Sequence, residues 1–156
     1  MLRLVGCLLI LSSGSGAAFL CARAERKRLD VLDGWIDLIS YVRAKIDCFL
    51  TPQDEIFASL DPDRIRHCGG SAACRSFAEL LDASERYLSP DSRRLAAAFT
   101  DGIGDGYREA QVRACDYYID ALRDIRGKTA AGLPARIRVR VALCLCAAIG
   151  AAILLW

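Results

Sequence analysis

Three features of this 156-residue chain predict an all-α fold, an antiparallel helical bundle of about six helices with terminal transmembrane helices. Apolar segments free of charge occupy both ends of the sequence. Apolar residues between them recur at helical spacing. Three of the four prolines stand directly after a side chain suited to capping a helix. Together these divide the chain into an N-terminal transmembrane helix (1–22), a helical body (23–135) and a C-terminal membrane segment (136–156).

The first apolar segment, 4–22 (LVGCLLILSSGSGAAFLCA), has the roughly 20 residues a helix needs to cross the hydrocarbon of a bilayer. Ser12 and Gly16 have the small-xxx-small spacing that lets membrane helices approach closely. A signal peptide is the competing reading, because Ala22-Arg23-Ala24 has the form of a cleavage site. Against it stand the charge inside that motif, a charged leader of Arg3 alone and an apolar run longer than usual.

The body opens with a helix over 25–50. Leu29, Leu32, Ile36, Ile39, Val42, Ile46 and Phe49 step by three and four along one stripe. Thr51-Pro52, Asp61-Pro62 and Ser89-Pro90 then each start a helix. The cap side chain satisfies a free N–H, and proline at the first helical position has none to satisfy. Another short helix is expected near Ser71, after Gly69-Gly70, carrying Phe77, Leu80 and Leu81. The glycines of DGIGDG (101–106) form a turn. A long helix follows from about Tyr107, with Val112, Cys115, Ile119, Leu122 and Ile125 on one stripe. Gly127, Gly132 and Pro134 interrupt it as a hinge or kink.

The second apolar segment, 141–156 (VALCLCAAIGAAILLW), is about 24 Å long as a helix. That is short of a span of roughly 30 Å. The stems of Arg136, Arg138 and Arg140 extend it, and Trp156 suits an interface. Ala147, Ala148, Gly150, Ala151 and Ala152 offer a smooth face for the first segment. Basic residues cluster on the inner side of both segments, so the positive-inside rule places the body in the cytoplasm. Arg23, Arg26, Lys27, Arg28, Arg136, Arg138 and Arg140 are the candidate membrane-surface contacts, set to meet anionic headgroups.

A net charge of +2 provides no field for binding nucleic acid. The eight cysteines include no CxxC, and in a long helical body they read first as thiols packed like small hydrophobes. A membrane-bound thiol or metal-binding protein using His67, Cys68, Cys74 and Cys115 is the alternative, although the spacing matches no common zinc motif. DGIGDG lacks the preceding strand and the Lys-Ser/Thr of a phosphate loop. Asp116, Asp120 and Asp124 recur every four residues as an acidic edge, either a solvated face or a docking edge for a basic partner. No cofactor, metal or catalytic residue is expected. Thr51, Pro52, Gly102, Gly104, Asp105 and Glu109 are the candidate partner-docking residues, each a full long helix away along the chain from an apolar end.

The order of these segments resembles one family. MLRLVGCLLIL leads into ARAERKRLD, then LISYVRAKIDCFLTPQDEI, then DGIGDGYREAQVRACDYYIDALRDIRGK, then a basic-to-apolar tail. Over nearly the whole chain this is similar to the stage III sporulation protein AB family of endospore-forming bacteria, with 64–76 and its cysteines outside the likeness. The resemblance implies a six-helix cytosolic bundle related to the F component of type II secretion. It implies a non-enzymatic platform subunit in the mother-cell membrane around the forespore. There it would join the other proteins of a channel between the two compartments and work beside a cytosolic secretion-type ATPase. Self-association is left open.

Overall fold

The computed structural model describes residues 2–49, 53–104 and 106–155, with side chains over 16–48, 55–104, 106–151 and 153. The described chain is all-α. Six helices follow one another: α1 (Leu2–Phe49), α2 (Gln53–Ala58), α3 (Pro62–His67), α4 (Phe77–Ser84), α5 (Pro90–Gly102) and α6 (Arg108–Leu155). There is no strand among the described residues. The chain divides into two compact units, one of Met1–Lys27 with Thr129–Trp156, the other of Arg28–Lys128.

In the 28–128 unit, α1 and α6 run antiparallel, as their ion pairs show. As the α1 residue advances through Asp33, Arg43 and Asp47, its α6 partner falls back through Arg126, Asp116 and Arg108. Two of these pairs are bidentate: Arg126 donates to both Asp33 oxygens at 2.9 and 3.1 Å, and Arg43 to both Asp116 oxygens at 2.5 and 3.1 Å. Exposed pairs contribute little stability, but a planar fork fixes geometry, so this ladder sets register. The predicted stripe is buried at Leu32, Ile36, Ile39, Val42 and Ile46. Val31, Trp35 and Leu38, off that stripe, are fully buried as well, because the short helices cover α1 on a second side. Aromatic rings join those helices in an edge-to-face chain, Phe57 on Phe77, Phe77 on Phe99 and Phe99 on Tyr118.

Helix starts follow capping chemistry. Asp61 caps α3 by accepting from Asp63 N, and Ser89 caps α5 by accepting from Ser92 N. The start expected near Ser71 is corrected to Phe77. Residues 71–76 form turns. Ser76 Oγ accepts from Glu79 N at 3.2 Å while Glu79 Oε2 reaches back to accept from Arg75 N at 2.7 Å, a variant of the capping box. Gly127, Gly132 and Pro134 do not end α6, which continues through them from Arg108 to Leu155. Proline costs one backbone bond, and ordered turns on both sides offset it.

Among the described residues no helix is long and apolar enough to cross a membrane. The side chains of 1–15, most of the first expected span, lie outside the described residues, as do 152 and 154–156 of the second. What is described of the Met1–Lys27 and Thr129–Trp156 unit is a helix pair joined by an ion pair between Arg140 and Glu25, the latter with its side chain 2% exposed.

Candidate functional site

Backbone hydrogen bonds and two left-handed glycines shape the described residues between α5 and α6. α5 stops where Ile103 N donates back to Phe99 O at 3.0 Å, and the Ile103 side chain tucks into the core. Gly104 (φ 92°) and Gly106 (φ 88°) then take the left-handed conformation that glycine adopts without steric cost. Tyr107 O accepts from Ala110 N and Gln111 N at 2.9 and 3.1 Å, opening α6. Gln111 Nε2 donates back to Gly106 O at 3.1 Å, and Arg108 ties the turn to Asp47 of α1 at 2.6 Å.

This arrangement brings Gly102, Gly104 and Glu109 to one exposed corner. Thr51, Pro52 and Asp105 lie outside the described residues. The corner also carries Tyr107, 90% exposed, which the sequence reading did not select. The hollow behind the turn, lined by Ile46, Phe99, Ile103, Cys115 and Tyr118 among others, holds about 10 Å³. That is room for one water.

The acidic edge of α6 is engaged within the chain. Asp116 pairs with Arg43, Asp120 with Arg123 and Asp124 with Lys128. Arg43 N–H bonds hold the Asp116 carboxyl below the usual carboxylate range, and Asp116 in turn raises Arg43.

The candidate thiols are packed. Burial, with Asp37 adding to it, pushes Cys68 up to about 12. Burial and then Asp116 push Cys115 up to about 11. Both are protonated at neutral pH, whereas metal binding and nucleophilic attack need the thiolate. His67 lines a separate open cleft of about 300 Å³ with Gly34, Asp37, Asp61, Asp63 and Arg64. Among the described residues no three His, Cys, Asp or Glu side chains stand together as metal ligands.

The seven candidate membrane-surface residues differ in setting. Arg23, Arg26, Arg136 and Arg138 are exposed, and Lys27 is half-buried. Arg28 falls in the other unit and has an interaction of its own. Arg140 is committed to Glu25.

Polarity in this unit is the reverse of that in the 28–128 unit. The inward seam of α6 is Ile137, Val141, Cys144, Ala148 and Ala151, buried or half-buried and stepping by four and three. On α1 it is Ala18, Cys21, Ala22 and Glu25. Five large apolar side chains point out: Phe19 67%, Leu20 65%, Leu143 65%, Ile149 50% and Ile153 71% exposed. Of the expected smooth face, Ala148 and Ala151 lie on the seam, whereas a Cβ added at Gly16 or Gly150 would meet nothing within 4 Å. Ala147 faces out.

No protein-family model, curated protein or solved structure matches this chain.

Proposed function

We propose that this protein is a non-enzymatic, membrane-anchored platform subunit. Its helix pair sits in lipid, and its 28–128 unit presents the α5–α6 corner to a cytosolic partner. One observation carries the reading: in the helix pair Phe19, Leu20, Leu143, Ile149 and Ile153 are exposed, while Ala18, Cys144, Ala148 and Ala151 are buried or half-buried. Water drives large apolar groups inside, as it does with Trp35 and Phe99 in the body. Lipid removes that drive and leaves close packing of small residues to hold helices together. Uncharged stretches at 4–22 and 141–156 supply the matching sequence.

The resemblance to stage III sporulation protein AB supplies the setting. On this reading the subunit belongs to a secretion-like channel in the mother-cell membrane around the forespore, faces the cytoplasm and works beside a secretion-type ATPase. The corner suits docking because an exposed tyrosine on a fixed turn offers contact area with little conformational freedom to lose.

Two measurements test the proposal. Membranes washed with alkaline carbonate should retain the chain, and protease added to unbroken cells should leave its middle intact; release by carbonate refutes the anchor. Tyr107→Ala with Glu109→Lys should cut capture of the secretion-type ATPase at least about ten-fold, the loss of one well-placed contact. Both side chains are exposed, so the variant should stay folded, losing only the roughly 0.3–1 kcal/mol that an acidic side chain contributes in the first turn of a helix. Unchanged capture refutes the corner.

A further inference from the structure

The basic residues of the helix pair do two different jobs, and the Glu25–Arg140 contact separates them. Glu25 is a buried carboxylate, and a charge in that position requires a counter-charge. Arg140 supplies it. Arg23, Arg26, Arg136 and Arg138 make no ion pair among the described residues. All four lie within about one turn of the Glu25–Arg140 contact along their helices, Arg23 on one side of it and Arg136 on the other because the helices are antiparallel, a band about 9 Å deep at 1.5 Å per residue. On α6, Arg136 and Arg138 are two residues apart, so they project from different sides of the helix. The Arg136 guanidinium lies back over Gly132, its nearest atom 3.6 Å from where a Cβ there would stand. Past the band, over 16–22 of α1 and 141–151 of α6, there is no charged residue, and the large apolar side chains point outward.

Resting on the membrane reading above, we propose that Arg23, Arg26, Arg136 and Arg138 form a collar that binds the phosphodiester headgroups of anionic phospholipid. Arg140 stands outside that collar and, with Glu25, is a positioning residue that fixes the register of the two helices. The occupant is anionic lipid because four uncompensated cations border an outward apolar surface. A guanidinium at such a boundary donates to phosphate oxygens while its stem stays on the apolar side.

The full chain in neutral-detergent micelles containing equal phosphatidylglycerol and phosphatidylcholine is the test, read as the ratio of the two lipids retained after purification. Wild type should enrich phosphatidylglycerol, and Arg136→Gln with Arg138→Gln should reduce that enrichment by up to about 25-fold, about five-fold per arginine. Glu25→Gln with Arg140→Gln, which removes the buried carboxylate and its counter-charge together, should leave the enrichment in place and instead change cross-linking between cysteines introduced across the helix pair. Equal retention of the two lipids by wild type overturns the collar. Loss of enrichment in the Glu25→Gln, Arg140→Gln variant overturns the division of roles. Flotation of the wild-type chain with pure phosphatidylcholine vesicles reads the anchor separately, so a failed collar and a failed anchor give different results.

Discussion

Gly34 sits in the middle of α1, where glycine is a poor choice on helix propensity alone, so replacing it with alanine sets two calculable terms against each other. A Cβ at this position would stand 2.7 Å from both the carbonyl carbon and oxygen of His67 and 2.9 Å from Cys68 N. These are backbone atoms at the end of α3, and they cannot rotate aside as a side-chain tip would. Relief requires α3 to move away from α1 by about 0.7 Å or more, to ordinary contact distance. Cys68 is fully buried and Ile65 nearly so, so that movement disturbs packed groups. Overpacking of this kind costs about 1–3 kcal/mol. Alanine returns about 0.8–1 kcal/mol through helix propensity. The net expectation for Gly34→Ala is destabilisation by up to about 2 kcal/mol. For a body of this size it corresponds to a melting temperature lower by up to about 8–16 °C. Gly127→Ala is the matched control: it too lies within a long helix, but its Cβ would meet nothing within 4 Å. There only the propensity term acts, and the melting temperature should rise by several degrees. Thermal unfolding of both variants, followed by circular dichroism, decides the matter. A Gly34→Ala protein that melts with Gly127→Ala, above wild type, would refute the close approach of α1 to α3.

Ser84→Ala should cost about 1–3 kcal/mol in a urea titration. It strands the buried Trp35 Nε1, which donates to Ser84 Oγ at 3.2 Å; in a Trp35→Phe background, with no indole N–H to strand, Ser84→Ala should cost less, and no loss from Ser84→Ala in the wild type would sink the account. Thiol labelling of the native chain at pH 8 should modify the exposed Cys48 and spare Cys68 and Cys115 until the chain unfolds. The same burial gives a sign for alkaline pH. Both thiols titrate higher folded than unfolded, so their contribution is fully present below about pH 8.5 and is lost as pH rises through about 11 and about 12. Cys68→Ala with Cys115→Ala should flatten the fall in stability over that window, and an unchanged slope would count against it.

Local chemistry made part of this fold legible. Asp61-Pro62 and Ser89-Pro90 fix the starts of α3 and α5 because cap and proline act within one turn. Gly104 and Gly106 mark their turn because the backbone there needs positive φ. The start of α4 was also written locally, in Ser76 and Glu79, but Gly69-Gly70 is a louder break and drew the boundary too early. Gly70 is in fact held under Leu80 and Ile65. Val31, Trp35 and Leu38 were not legible from one stripe of α1, since only the tertiary arrangement covers a second side of that helix. Tyr107 was missed for the opposite reason. An aromatic residue beginning an amphipathic helix reads as core, and nothing local says that the turn before it points the ring into solvent.

The helix pair marks the point where hydropathy stops and packing begins. Counting apolar residues says how far 4–22 and 141–156 avoid water, but not which side chains face each other. Of the small residues at 147–151, Ala148 and Ala151 lie on the seam with Ala18, while Ala147 and Gly150 are exposed. The seam is set by the Glu25–Arg140 contact. From it, the seven residues back to Ala18 on α1 and the eight forward to Ala148 on α6 are each about two helical turns, which keeps both alanines on the seam. The positive-inside count treats Arg140 as one more cation on the cytoplasmic side, yet a carboxylate with 2% exposure gives that cation a different task. A single buried acid thus converts a run of alternating arginines into two chemically distinct groups, and only the position of Glu25, not its presence in the sequence, makes that division visible.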